Sequence, residues 1–103
     1  MTAGPLVSDG AGVRVVLVDS GVDSTHPWLE NANLRHLRLA RDGKRHVVVE
    51  DEGGDASGHG TACAGIIHRM VPAAELTSLR ALGRDGRCSK AGLIAALRHC
   101  VRE

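Results

Sequence analysis

The chain of 103 residues is long enough for one small domain with a modest core. Its 13 Lys and Arg stand against 12 Asp and Glu. That near balance argues against a general binder of nucleic acid or of an anionic membrane surface, and no apolar run approaches the length of a membrane span. Trp28 is the only aromatic residue, so the core must be built from Val, Leu, Ile and Ala. The three cysteines, Cys63, Cys88 and Cys100, are odd in number and widely spaced. They suit neither a disulfide framework nor a thiolate zinc site, although Cys88 and Cys100 could pair.

Met1 to Gly12, rich in Gly, Ala and Ser, reads as a flexible lead-in, and residues 13–103 as the folded part. The lead-in has no basic start followed by an apolar stretch, so no secretion signal is visible. A cytoplasmic protein, or a piece of a longer product, is the expectation. Val13 to Val18 is apolar except for Arg14. It predicts a strand at the centre of a parallel sheet covered on both faces. Asp19 to Gly21 turns the chain out of that sheet, which puts Asp19 at a carboxyl end, where open α/β sheets place their ligand sites.

Pro27 suits the first position of a short helical turn through Trp28 and Leu29. Leu34–Ala40 and His46–Glu50 flank Asp42-Gly43, a hairpin turn signal. The hairpin's basic residues, Arg35, Arg38, Arg41, Lys44 and Arg45, read as a solvated face, offset by Glu50-Asp51-Glu52. A glycine-rich loop, Gly53 to Gly58, leads to a helix from Gly60 to about Met70, with His59 at its start and Pro72 closing it. Leu76–Leu82 predicts a second parallel strand, Gly83–Arg87 a turn, and Ser89 the N-cap of a last helix from Lys90 to about Arg102. Leu93, Ile94, Leu97 and Val101 recur at helical spacing and are expected to face the sheet. The order strand, hairpin, helix, strand, helix predicts an α/β layer fold with right-handed crossovers.

The chemistry concentrates in two stretches. In Gly58-His59-Gly60-Thr61-Ala62-Cys63-Ala64-Gly65 an imidazole sits between glycines at the head of a helix of small residues, which can lie close to a neighbour. In Asp19-Ser20-Gly21-Val22 a carboxylate closes a buried strand. Brought together, Asp19 would fix one tautomer of His59 and stabilise its imidazolium. Cys63, four residues beyond His59, would share its helix face, but two ligands are too few for a metal site. The remaining histidines, His26, His36, His46, His68 and His99, show no ligand-like spacing.

These stretches resemble the subtilisin-like serine proteases, the subtilases. The resemblance lies in Asp19-Ser20-Gly21-Val22 and in Gly-His-Gly-Thr-x-x-Ala-Gly from Gly58 to Gly65. His26-Pro27, Asp55 and Pro72-Ala73-Ala74-Glu75-Leu76 also fit. It implies a partial subtilisin-like three-layer α/β fold, with a mainly parallel sheet plus a β-hairpin, covering the N-terminal part of a catalytic domain. It implies a serine endopeptidase in which His59 is the general base and Asp19 its orienting carboxylate, in the chain order Asp, His, Ser. It gives Asp55 a duty in loop structure, Ser20 a place in a turn, and Cys63 that of a buried, inert thiol beneath the histidine.

The third member of the triad is absent from residues 1–103. None of Ser8, Ser20, Ser24, Ser57, Ser78 and Ser89 lies in a Gly-Thr-Ser-like context at a helix start. The family's oxyanion Asn and substrate-binding strand have no counterpart in the chain either. The expectation is therefore a chain that supplies only Asp19 and His59 and is inactive alone. A polypeptide substrate would be cut once a Ser-bearing segment completes the site. The alternative is a non-catalytic remnant or interaction module, self-associating or taking a second chain through the open edge of a sheet cut partway. No cofactor or metal is expected: calcium occurs in many relatives, but no carboxylate cluster here suits it.

Overall fold

The computed structural model describes residues 9–102, so most of the expected lead-in, residues 1–8, lies outside the described residues. Among the described residues six strands and two helices follow in the order β1 (Arg14–Asp19), β2 (Gly21–Val22), β3 (Asn33–Asp42), β4 (Arg45–Glu50), β5 (Gly54–Asp55), α1 (His59–Met70), β6 (Glu75–Arg80) and α2 (Lys90–Arg102). A 3-10 turn, Pro27–Leu29, intervenes before β3, with Pro27 at its first position as expected. The main sheet has the order β1-β6-β3-β4. β6 runs parallel to β1 and β3, and β4 closes an antiparallel hairpin on β3. The fold is therefore α/β with a mainly parallel sheet, as the sequence implies.

The alternation of each strand divides its residues between two apolar layers. Val15, Leu17, Leu34 and Leu76 meet Val22, Leu29, Ala64 and Ile67 on the α1 face. Val16, Val18, Leu37, Val48 and Leu79 meet Ala96 and Cys100 on the α2 face. One helix covers each side, which gives the three layers. The hairpin is not a separate ribbon, because Asn33–Arg38 pair with β6. Its tip is Gly43-Lys44, with Asp42 opposite Arg45, and Gly43 takes the φ of 63° that the tight turn requires. The acidic run offsets the basic face as expected: Arg35 pairs with Glu50 at 2.7 Å, and Asp51 meets both Arg38 and Arg80.

Two expectations are corrected. The Val13–Val18 run is an edge strand among the described residues, and the interior strands are β6 and β3. An apolar run reports burial on two faces, and β1 has that, but it does not report how many neighbours flank the strand. The second correction concerns α2. Leu93, Ile94, Leu97 and Val101 do not face the sheet and are 40% to 87% exposed. Gly92 and Ala96 are buried instead, with Cys100 beside them. A Cβ on Gly92 would lie 2.9 Å from Leu39 Cδ2. The sheet surface is already filled by branched side chains, so the helix seats itself on its smallest residues. Its capping is as expected, with Ser89 Oγ accepting from Gly92 N at 3.0 Å.

Candidate active site

The site lies where β1 ends and α1 begins. Asp19 is the last residue of β1 and is 7% exposed. His59 is the first residue of α1, and its side chain is 70% exposed. His59 Nδ1 lies 2.9 Å from Asp19 Oδ2 and 3.0 Å from Oδ1. A carboxylate only accepts, so Nδ1 carries the shared proton and the lone pair falls on Nε2. Ser20 N donates to Asp19 Oδ1 at 2.7 Å, which fixes the carboxylate from its own strand end. A buried acceptor thus meets an exposed imidazole, and one face of that imidazole remains open to a reacting group.

The helix start is held by side chains from elsewhere in the chain. Gly58 precedes His59 in the left-handed region and supplies no side-chain cap, so the first amides of α1 need other acceptors. His59 N donates to Ser57 Oγ, Gly60 N to Ser20 Oγ, and Thr61 N to Asp55 Oδ2. Ser20 Oγ in turn donates to Asp55 Oδ1 at 2.6 Å, and Thr61 Oγ1 to Asp55 Oδ2 at 2.5 Å. Thr61 Oγ1 also accepts from Asp23 N. Asp55 is the hub of this network, at the positive end of the helix. Burial raises the pKa of its carboxyl, but the hydrogen bonds from Ser20 and Thr61 outweigh that and hold it well below the usual carboxylate range.

Backbone contact completes the fixation. A Cβ on Gly60 would collide with the carbonyl oxygen of Gly21, so only glycine lets α1 approach β2 this closely. β2 pairs with β5, with Gly21 opposite Asp55. In the sequence β5 reads only as part of a glycine-rich loop, because two-residue strands carry no periodicity. Ser20 reads there as a turn residue, with no sign of its double hydrogen bonding. The signal available is that Ser20 and Thr61 lie within the two motif stretches and Asp55 three residues ahead of the second.

The other candidate residues fall elsewhere. Among the described residues no serine or threonine hydroxyl hydrogen-bonds to the His59 ring: Ser20, Ser57 and Ser89 serve backbone amides or Asp55. Cys63 is half-buried rather than buried, and all three cysteines are free thiols. Cys63 Sγ lies 3.8 Å from His59 Nδ1 and 3.9 Å from Nε2. Of the remaining histidines, His26 caps the 3-10 turn by accepting from Trp28 N, and His68 Nε2 meets Glu30 O. A cleft of ≈ 480 Å³ lined by Asp23, His26, Trp28, Asp55, Thr61 and Ala62 opens beside the first turn of α1.

A strand-end carboxylate is thus bonded to a helix-start imidazole at the carboxyl edge of a mainly parallel sheet. Residues 10–100 match the profile of the subtilase family, and the chain belongs to that family. It is 34% identical to a subtilisin-like protease of Coccidioides posadasii over 92% of this chain and 24% of that protein. It is 37% identical to subtilisin BL of Lederbergia lenta over 76% of this chain and 29% of that one. It is 31% identical to subtilisin-like protease 1 of Arthroderma gypseum over 91% and 19% respectively. The chain thus spans less than a third of the length of these relatives. No helix among the described residues is long and apolar enough to cross a membrane.

Proposed function

We propose that the chain supplies the acid–imidazole pair of a subtilisin-like serine endopeptidase, with Asp19 orienting His59. The nucleophilic serine would come from a segment outside residues 1–103 or from a second polypeptide. The observation that carries this reading is the 2.9 Å contact between His59 Nδ1 and Asp19 Oδ2, with the imidazole otherwise facing solvent. In this role His59 Nε2 takes the serine proton as the hydroxyl attacks the scissile carbonyl. The resulting imidazolium is stabilised by Asp19 across Nδ1–H, and the proton then passes to the leaving amine. Oxyanion stabilisation and substrate pockets would be supplied by the Ser-bearing part.

The test compares this chain alone with a product that includes the Ser-bearing segment, on a peptide ester. The chain alone should hydrolyse it no faster than buffer. The completed enzyme should lose about 10⁴ in kcat on Asp19→Asn, which leaves the geometry but upsets the tautomer. Turnover by the chain alone that disappears with His59→Ala, or a completed enzyme indifferent to Asp19, would contradict the reading.

A second reading is a subtilase-like module without turnover of its own that binds a partner. It is supported by the exposed apolar flank of α2, Leu93, Ile94, Leu97 and Val101, and by the edge position of β1 among the described residues. Self-association through that edge, or capture of a second chain there, is the corresponding proposal. Sedimentation of the chain over a range of concentrations checks it, and a monomer at every concentration would count against self-association.

A further inference from the structure

The fold adds a third donor to the His59–Cys63 pair. Asp19, His59 and Cys63 each offer one ligand atom, and these atoms lie within 4.8 Å of one another. They come from two elements: Asp19 closes β1, while His59 and Cys63 stand one turn apart on α1. We propose that these three side chains bind a single thiophilic divalent cation, with zinc the best match, and that the bound ion and the Asp19–His59 hydrogen bond exclude each other.

The donor chemistry selects the ion. One imidazole nitrogen, one thiolate and one carboxylate suit zinc and its thiophilic neighbours, whereas magnesium and calcium require shells of oxygen. Zinc bond lengths place tetrahedral donors roughly 3.3–3.6 Å apart. Nδ1 and the Asp19 carboxylate, now 2.9 Å apart, would open slightly to admit the ion. Cys63 Sγ, now 3.8 Å from Nδ1, would close slightly on the nitrogen and further on the carboxylate, within reach of rotation about its own Cα–Cβ bond. With three protein donors, the fourth tetrahedral position would be taken by a solvent molecule.

The charge and proton balance closes. The cation displaces the Nδ1 proton, which the ring regains at Nε2 so that the imidazole stays neutral, and the Cys63 thiol proton, the one proton released to solvent. The two positive charges are matched by one carboxylate and one thiolate in a half-buried setting. An ion held this way occupies the lone pair of Nδ1 and separates it from its orienting carboxylate, so proton handling by the pair stops until the metal leaves. The inference concerns binding alone and holds whether or not the pair serves peptide hydrolysis.

The test uses the full chain carrying Cys88→Ser and Cys100→Ala, so that Cys63 is its sole thiol. Cobalt(II) is titrated as a spectroscopic probe, and zinc by competition with a chromogenic chelator. The expected result is one ion per chain, a thiolate-to-cobalt charge-transfer band, displacement of cobalt by zinc, and loss of the His59 Nδ1 proton resonance on zinc addition. Cys63→Ser, Asp19→Asn and His59→Ala should each weaken zinc binding by at least about tenfold, with far-ultraviolet circular dichroism reporting that the fold persists. Absence of the thiolate band, or zinc affinity indifferent to Cys63→Ser or Asp19→Asn, overturns the proposal. The cobalt band reads the sulfur bond with all three donors unaltered, so its presence or absence decides the matter even where a donor variant fails to fold.

Discussion

The two helices both lie on the sheet across small residues, yet they are held by different means. The first turn of α1 is bound by Ser20, Asp55 and Ser57, and Gly60 touches the backbone of β2. The first turn of α2 is capped by Ser89 from its own chain end, and its larger apolar side chains face away from the sheet. Positional precision is concentrated on α1, the helix that carries His59. At α2 the structure secures coverage of the sheet, not the placing of a side chain. The contrast separates a helix whose first turn is fixed by contacts from elsewhere in the chain from one that mainly closes a layer.

The comparison breaks most readily at Gly60. Gly60→Ala should cost about 3 kcal/mol, because the added methyl meets backbone that cannot step aside. Urea unfolding measures it, and a loss below about 1 kcal/mol would mean that α1 does not sit against β2 as described. Asp55→Ala comes next. It removes acceptors from Ser20 and Thr61 at once and should cost about 2–3 kcal/mol, against about 1 kcal/mol for Ser89→Ala at the cap of α2. Equal losses at the two positions would erase the distinction between the helices.

On α2 itself, Ala96→Leu should cost about 2 kcal/mol by overfilling the seat on the sheet. Leu97→Ser, on the exposed flank, should stay within about 0.5 kcal/mol. The reverse ranking would restore the sheet-facing role that the sequence suggests for Leu97. The smallest effect concerns pH. The folded-state pKa of Asp55 is depressed, so its stabilisation is fully present above the unfolded value of about 3.9 and fades as pH falls below it. Acid unfolding of Asp55→Asn should therefore be less steep through that region than that of the unaltered chain. Identical acid limbs would remove Asp55 from the account.

Much of the site is legible in the sequence because its signals are local. Asp19 follows an apolar run, and His59 lies between glycines ahead of small residues, so each announces a strand end or a helix start. The support around them is not local. Ser20, Asp55 and Thr61 converge only after β2 pairs with β5, and strands of two residues leave no period to read. The strands and helices of the layers are legible for the same reason as the motifs. Their neighbours are less so: the Val13–Val18 pattern does not tell an edge from a centre. In α2 the count of large apolar residues points to one face, while the volume already filled by Leu39 favours Gly92 and Ala96. Cys63 shows a similar limit, since its spacing from His59 is visible in the sequence but the approach of Asp19 to both is not.

The most direct check is the proton between β1 and α1. Nitrogen-resolved proton magnetic resonance of the His59 ring should find a proton on Nδ1, shifted downfield and slow to exchange, that disappears or moves sharply with Asp19→Asn while the backbone amide spectrum of α1 is preserved. A ring protonated on Nε2 instead, or an Nδ1 signal untouched by the loss of the Asp19 charge, would mean that the strand end and the helix start are not joined in this way.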